Sequence, residues 1–342
     1  MAQVDYLVMG QGLAGSCLAM HLLDRGKSVM VVDRKDKGAS SRVAAGLVTP
    51  LTGKGLNPAW RQDACLHYAE EFYHRLEIRS GRKFYHSQPV VRILGDEKQR
   101  GKWLAKDDEV RRWGEMTDRA TVEAPWGALR MESGAWLDTK VFLRVAMERL
   151  IRHEAWMEGE FSQEDVSFES GWVQWQGVEA RRLILCLGAY GLGGDGWFGD
   201  LPHRSAKGEV LTLWLDGMDE SSRYHADGWI APRGGGVWKG GANYNWDQLD
   251  SIPSEEGKEE VLTKLKRWVP VPFEVIDHEA GVRPIIRNSQ PVVGMHPDLE
   301  SVGFFNGLGS KGSLMAPYVA RHFAEYLCGE HQLDPDLDLA AL

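Results

Sequence analysis

The sequence predicts an α/β protein in which a nucleotide-binding unit with a parallel sheet is joined to a second domain built on an antiparallel sheet. Two observations carry this. Residues 4–33 run apolar stretch, glycine-rich turn, amphipathic stretch, apolar stretch, acid, and residues 208–243 hold short apolar runs parted by glycine clusters. A second glycine-rich turn leading into an amphipathic stretch recurs near the C-terminus.

In chain order, Val4 to Met9 reads as a buried strand and Gly10-Gln11-Gly12-Leu13-Ala14-Gly15 as its turn. Ser16 to Arg25 then has helical spacing of Leu18, Leu22 and Leu23, and Gly26 stops it. Ser28 to Val32 is a second strand that ends at Asp33, 18 residues after Gly15. Strand, glycine turn, helix, strand and acid in this order make a dinucleotide site of the Rossmann type. Gly10 supplies the tight turn, Gly12 admits a pyrophosphate to the backbone, and Gly15 lets the helix close on the strand. The helix N-terminus holds phosphates and the Asp33 carboxylate accepts from a ribose. The next stretch, Ala39 to Pro50, is small and hydroxyl-rich where an NAD fold continues into its second helix. It is expected to run extended beside a longer cofactor, with Ser40 and Ser41 donating to the pyrophosphate and Ala45 and Gly46 making room for a flat ring.

Gly208 to Leu215, Tyr224 to Ala231 and Gly236 to Asn243 read as strands, with Gly234-Gly235-Gly236 turning the last two into a hairpin. In the final third, Gly281-Val282-Arg283-Pro284 precedes a strand at Val302 to Asn306 and the turn Gly307-Leu308-Gly309-Ser310-Lys311-Gly312. A helix follows from Ser313 to Leu327, with Leu314, Val319, Phe323 and Leu327 on one face. A glycine turn at a helix start favours negative charge, which suits the isoalloxazine end of a reduced flavin.

The 342 residues are 43% apolar, enough for a substantial core, and the formal net charge of −9 argues against a surface adapted to phosphate backbones. Cys17, Cys65, Cys186 and Cys328 lie far apart without C-x-x-C or zinc-finger spacing, so reduced thiols, no metal and a cytoplasmic protein are expected. No run of about 18 apolar residues occurs and the first residues lack a signal-peptide pattern, so no membrane is expected. The chain holds 14 tryptophans. Trp172, Trp175, Trp214, Trp229, Trp238 and Trp246 cluster around the antiparallel region, which predicts an aromatic roof over a ligand.

Taken together, GQGLAG with Asp33, the SSRVAAGL stretch, RLILCLGA at 182–189, GWIAPR at 228–233 with Gly240-Gly241-Ala242, GVRP at 281–284 and the final turn and helix carry a family likeness. At these segments the chain resembles the FAD-dependent oxidoreductases of the D-amino-acid oxidase and glycine oxidase superfamily. Its GLGSKG turn with Ala316-Pro317 looks like the oxidase half of the bifunctional tRNA methylaminomethyl-thiouridine enzyme. A chain of 342 residues has no room for that enzyme's methyltransferase half as well.

The resemblance implies an FAD domain from 1–80, 137–200 and 281–342 and a substrate domain from 81–136 and 201–280. It extends the cofactor set to Leu13, Ala14, Arg34, Leu47, Phe161, Gly188, Leu308, Gly309, Ser310, Lys311 and Gly312. It implies oxidation of an amine by hydride transfer to FAD, the imine then hydrolysing, with oxygen or another carrier as acceptor. Arg283 stands where glycine oxidases hold the substrate carboxylate; its alternative is an inter-domain ion pair. Ser310 replaces that family's second arginine and Trp229 its carboxylate-binding tyrosine, so a bulkier or N-substituted amine is expected rather than glycine. Lys311 belongs near the flavin's negative end, its alternative being a solvated lysine. FAD is expected to be non-covalent, because Cys328 lies a whole helix after the turn where the sarcosine oxidase branch attaches flavin. His225 and His278 are base candidates by location only. Two other functions stay open: a tRNA-modifying flavoenzyme, for which Arg111, Arg112 and Arg119 or Lys264, Lys266 and Arg267 form a patch, and a flavin-binding subunit or sensor without turnover.

Overall fold

The fold is that of a computed structural model describing residues 2–118, 122–286 and 289–342. Parallel strands Trp156–Glu158, Val29–Asp33, Ala2–Met9, Val178–Leu185 and Val302–Asn306 lie side by side in the first sheet. Two antiparallel strands, Val166–Glu169 and Trp172–Trp175, pair beyond Val178–Leu185. The Leu13–Asp24 helix is buried from Leu13 to Leu22 and packs with the Gly312–Leu327 helix on one face of this sheet. An all-round apolar helix is the pattern of a layer covered on both sides, and each buried leucine contributes about 1.5–3 kcal/mol.

Pro317 inside the last helix has no N–H to give the Ser313 carbonyl, and the buried Tyr73 hydroxyl donates to that carbonyl instead, at 3.0 Å. The helix therefore keeps its start, where Lys311 sits. The acidic tail also packs: Leu337 and Leu339 are buried and the Leu337 carbonyl accepts from Val293 N–H at 2.8 Å.

The second sheet runs Phe273–Arg283, Ala206–Leu215, Val237–Gly241, Gly228–Gly234, Arg223–Ala226, Val90–Ile93, Ala128–Met131 and Glu115–Thr117 in spatial order. Only Arg223–Ala226 with Val90–Ile93 is parallel. The helix Glu255–Lys266 covers one face, packing Val261, Leu262 and Leu265 against Trp238 and Leu213; the other face shares a cavity with strand ends of the first sheet.

Three expectations need correcting. Tyr224 to Ala231 is two strands folded back at Asp227, with Gly228 at φ +102° where a side chain is strained. The Ala39–Pro50 stretch is not extended throughout: Ser40–Val43 is a turn of helix, followed by Leu47–Val48 pairing with Ala135–Leu137. The tryptophan roof is also mostly absent. Trp172 and Trp175 belong to the first sheet, and Trp238 packs on the helix-covered face of the second. Trp214 is exposed at 47%. Trp229 lines the cavity between the two sheets, and Trp246 a smaller one beside it.

Candidate active site

A cavity of about 810 Å³ runs from the ends of the parallel strands to the face of the second sheet. At one end stand Asp33, Arg34, Asp36, Glu160 and Phe161. Backbone N–H groups of Gln11 and Lys35 donate to the Asp33 carboxylate at 2.8 Å each, and Arg42 donates at 3.1 Å. Those bonds fix its orientation and leave acceptor capacity toward the cavity. Arg34 bridges Asp36 and Glu160 at 3.0 and 2.8 Å.

Gly10, Gly12, Leu13 and Ala14 line the middle, where the first helix begins. No side chain caps Gly12 and no acid occupies the first turn, so the positive end of the helix faces the cavity. Ser41 Oγ accepts from Leu13 N–H at 3.1 Å, which leaves the hydroxyl proton free for an anion, and Ser40 lies beside it on the wall. Ala45, Gly46, Leu47 and Gly188 continue the lining. Gly15 does not line it. A Cβ there would fall on the Gly10 carbonyl oxygen, so Gly15 is needed for packing rather than for contact with a ligand.

At the far end Leu308, Gly309, Ser310, Lys311 and Gly312 face Arg283 and Trp229. Asn306 Nδ2 donates to the Gly188 carbonyl at 2.8 Å and Gly309 N–H to that of Pro284 at 2.9 Å, which ties the final turn to both neighbouring segments. Arg283 Nη1 donates to the carbonyls of Asn243 and Lys207 at 3.2 and 3.4 Å, and its guanidinium lies 4.3 Å from the Tyr244 ring centroid. Gly208 is the shelf beneath it, since any Cβ there would overlap the guanidinium. No carboxylate pairs with Arg283 among the described residues. Lys311 likewise has no acidic partner there, and burial pulls its pKa down.

The family model for FAD dependent oxidoreductases, DAO, matches residues 5–326. The chain belongs to that family. Its cofactor is accordingly FAD, and it is an FAD-dependent oxidoreductase. The uncharacterized oxidoreductase YurR of Bacillus subtilis is 23% identical over 98% of this chain and 97% of that protein. The tRNA 5-methylaminomethyl-2-thiouridine biosynthesis bifunctional protein MnmC of Idiomarina loihiensis is 25% identical over 95% of this chain, which spans 56% of that relative. The crystal structure of glycine oxidase from Geobacillus kaustophilus has the same fold, with a TM-score of 0.83 at 17% identity over 100% of this chain and 98% of that one.

The residues present fit FAD. A helix N-terminus with no acid in its first turn and Gly12 on the cavity wall suits the pyrophosphate, and Asp33 at the second strand's end suits a ribose. Nothing among the described residues forms a cluster that would hold a metal, and no described helix is long and apolar enough to cross a membrane. The four cysteines are unpaired, and Cys328 does not line the cavity.

The two candidate base histidines, His225 and His278, part company. His278 lies 2.6 Å from Glu209 and off the cavity wall, a structural placement. His225 lines the cavity, and burial together with the Arg223 and Arg92 guanidiniums pushes its pKa far down, so the ring is neutral. Sequence reasoning missed Arg92, Trp197 and Tyr244, which also line the cavity. The signal for Arg92 was a lone charge inside the apolar run Val90-Val91-Arg92-Ile93.

Proposed function

We propose that the protein oxidises the C–N bond of an amino acid carrying a substituent on its nitrogen, with Arg283 holding the carboxylate. The observation that carries this reading is the Arg283 guanidinium: half-buried, on the cavity wall, fixed by two carbonyls and an aromatic ring, and without a carboxylate partner among the described residues. A guanidinium fork in that state suits a planar carboxylate. The Trp229 indole lies over Gly241 and lines the same wall, a surface that suits a substituent larger than the hydrogens of glycine.

Bound FAD supplies the two-electron acceptor. The chain's part is to orient the amine and keep it neutral, because an ammonium nitrogen has no lone pair to push. Arg283, Lys311 and Arg92 line this region without a carboxylate, and like charge disfavours the ammonium form. With FAD bound, Lys311 would supply a cation from the cavity wall to the negative charge that gathers on the ring system on reduction. No residue is assigned as a base: neutral His225 is a hydrogen-bonding group, and loss of the amine proton to water suffices.

Anaerobic bleaching of bound flavin across primary, secondary and cyclic amino acids, followed by admission of air, tests this reading. N-substituted glycines are expected to bleach fastest; a panel in which none bleaches removes it. Lys311→Met is expected to slow flavin reduction or its reoxidation by oxygen about tenfold, in line with about 1.4 kcal/mol for one charge interaction. Unchanged values for both steps refute its role. Acid precipitation should release all yellow colour to the supernatant, as a non-covalent cofactor requires.

A second reading, oxidation of a carboxymethylaminomethyl group on tRNA, is favoured by the 25% identity with the bifunctional tRNA enzyme. The candidate basic patches lend it little support: Arg112 pairs with Asp63, Lys264 with Glu260 and Arg267 with Asp227, while Arg119 lies outside the described residues. Tight, salt-dependent tRNA binding would select this second reading.

A further inference from the structure

Across the cavity face of the second sheet runs a line of side chains that carboxylate binding and flavin binding leave unused. His225 is paired in register with Arg92 on one neighbouring strand and with Trp229 on the other, and Trp229 is paired with Gly241. Residues directly opposite one another share a face. The Trp229 ring lies over Gly241, where a Cβ would come within 2.8 Å of it, and the Arg283 guanidinium lies over Gly208 on the next strand. From one side to the other this face therefore presents Arg283, the indole, His225 and Arg92, and all four line the cavity.

Arg92 is the unexplained member. Its guanidinium makes one hydrogen bond, from Nη2 to the Gly53 carbonyl at 3.0 Å, and its buried Nε makes none. No carboxylate pairs with it among the described residues, and the acids on the cavity wall, Asp33, Asp36 and Glu160, stand at the ribose end. Its neighbourhood adds positive charge: fully buried Arg223 donates only to the carbonyls of Ala135 and Val48. His225 Nε2 is buried without a partner. A structural arginine pinning the Gly53 turn accounts for one bond and leaves the missing counter-ion unanswered. Buried cations are ordinarily paired, because leaving one unpaired is costly.

We propose that Arg92, with His225 beside it, is a second anion-binding pole, and that the substrate is a glycine whose N-substituent lies extended along Trp229 and ends in a carboxylate. This rests on the reading of the site as an amine oxidase with Arg283 on the first carboxylate. The strands bearing Gly208 and Arg92 are four inter-strand steps apart, roughly 19 Å at about 4.8 Å per step, so a chain that spans both poles is long and extended.

The test uses the FAD-loaded protein, N-(ω-carboxyalkyl)glycines with two to six methylenes, and N-alkylglycines of matched length. The expected result is a kcat/KM for the best diacid at least thirtyfold above its matched monoacid, with that ratio falling at least tenfold in Arg92→Met. A ratio near one in the unaltered protein, or one that Arg92→Met leaves in place, overturns the proposal. Calorimetric binding of the corresponding (ω-carboxyalkylthio)acetates, which contain no nitrogen to oxidise, gives a readout independent of turnover and should show the same preference and the same loss. Should Arg92→Met fail to retain FAD, Arg92→Lys keeps the charge on a shorter arm, and the preferred diacid should become longer; an unchanged optimum overturns the pole. If no N-substituted glycine is oxidised while the thioether diacids still bind through Arg92, the reaction reading falls and the pole stands. Oxidation without any diacid preference has the opposite meaning.

Discussion

Arg283→Ala should lower kcat/KM for carboxylate-bearing amines at least tenfold while the protein keeps its FAD. A charge-assisted hydrogen-bonded pair contributes about 1.5–3 kcal/mol, and at about 1.4 kcal/mol per decade this is a loss of tenfold to about 150-fold. The position of Arg283 favours the upper part of that range, because the guanidinium is half-buried and fixed before substrate arrives. Its contacts are with the Asn243 and Lys207 carbonyls and the Tyr244 ring, none of which carries a charge that competes for it. Arg283→Lys keeps the charge but loses the planar fork, so it should recover only a fraction of the loss. Because the first glycine turn and Asp33 stand at the other end of the cavity, flavin content should stay as in the unaltered protein. Near-normal kinetics of Arg283→Ala with an acidic amine would remove Arg283 from the substrate site.

Where an instruction in the sequence is local, it was legible. The first glycine turn, its helix and Asp33 depend on residues within about thirty positions of one another, and the structure places Asp33 under two backbone amides beside that turn. The hairpin at Gly234-Gly235-Gly236 was legible for the same reason, since all three glycines take positive φ. The tryptophans were not. Trp229 and Trp238 sit on adjacent paired strands yet face opposite ways, one into the cavity and one against Leu265. Alternation along a strand says which residues share a face; it does not say which face the helix Glu255–Lys266 will cover. The break at Gly228 was hidden because a glycine inside an apolar run is equally a weak strand residue and a reversal point. Arg92 was overlooked because its environment is assembled from Gly53, Arg223 and His225, brought together only by tertiary pairing.

Gly15→Ala and Gly12→Ala should separate the two tasks of the glycine turn. At Gly15 a Cβ would fall on the Gly10 carbonyl oxygen, with Cys186 Cβ at 3.3 Å, so relief requires the helix to move off the strand. Overpacking of this kind costs about 1–3 kcal/mol, and a backbone obstacle with no rotamer to yield argues for the upper value. A cost of about 3 kcal/mol corresponds to roughly 150-fold in an equilibrium constant. Gly15→Ala is therefore expected to destabilise the FAD-stripped protein by about that amount, read as a lowered melting temperature, and to weaken FAD as well if the helix start is displaced. At Gly12 the nearest atom to an added Cβ is Ser41 Oγ at 3.1 Å, the end of a side chain that can rotate. Gly12→Ala should leave the FAD-stripped protein's melting nearly unchanged. Its methyl group would point into the cavity where the pyrophosphate needs the backbone, so FAD affinity should still fall at least tenfold. Equal effects of the two substitutions on the FAD-stripped protein would mean that the turn does not divide packing from cofactor contact as the geometry requires.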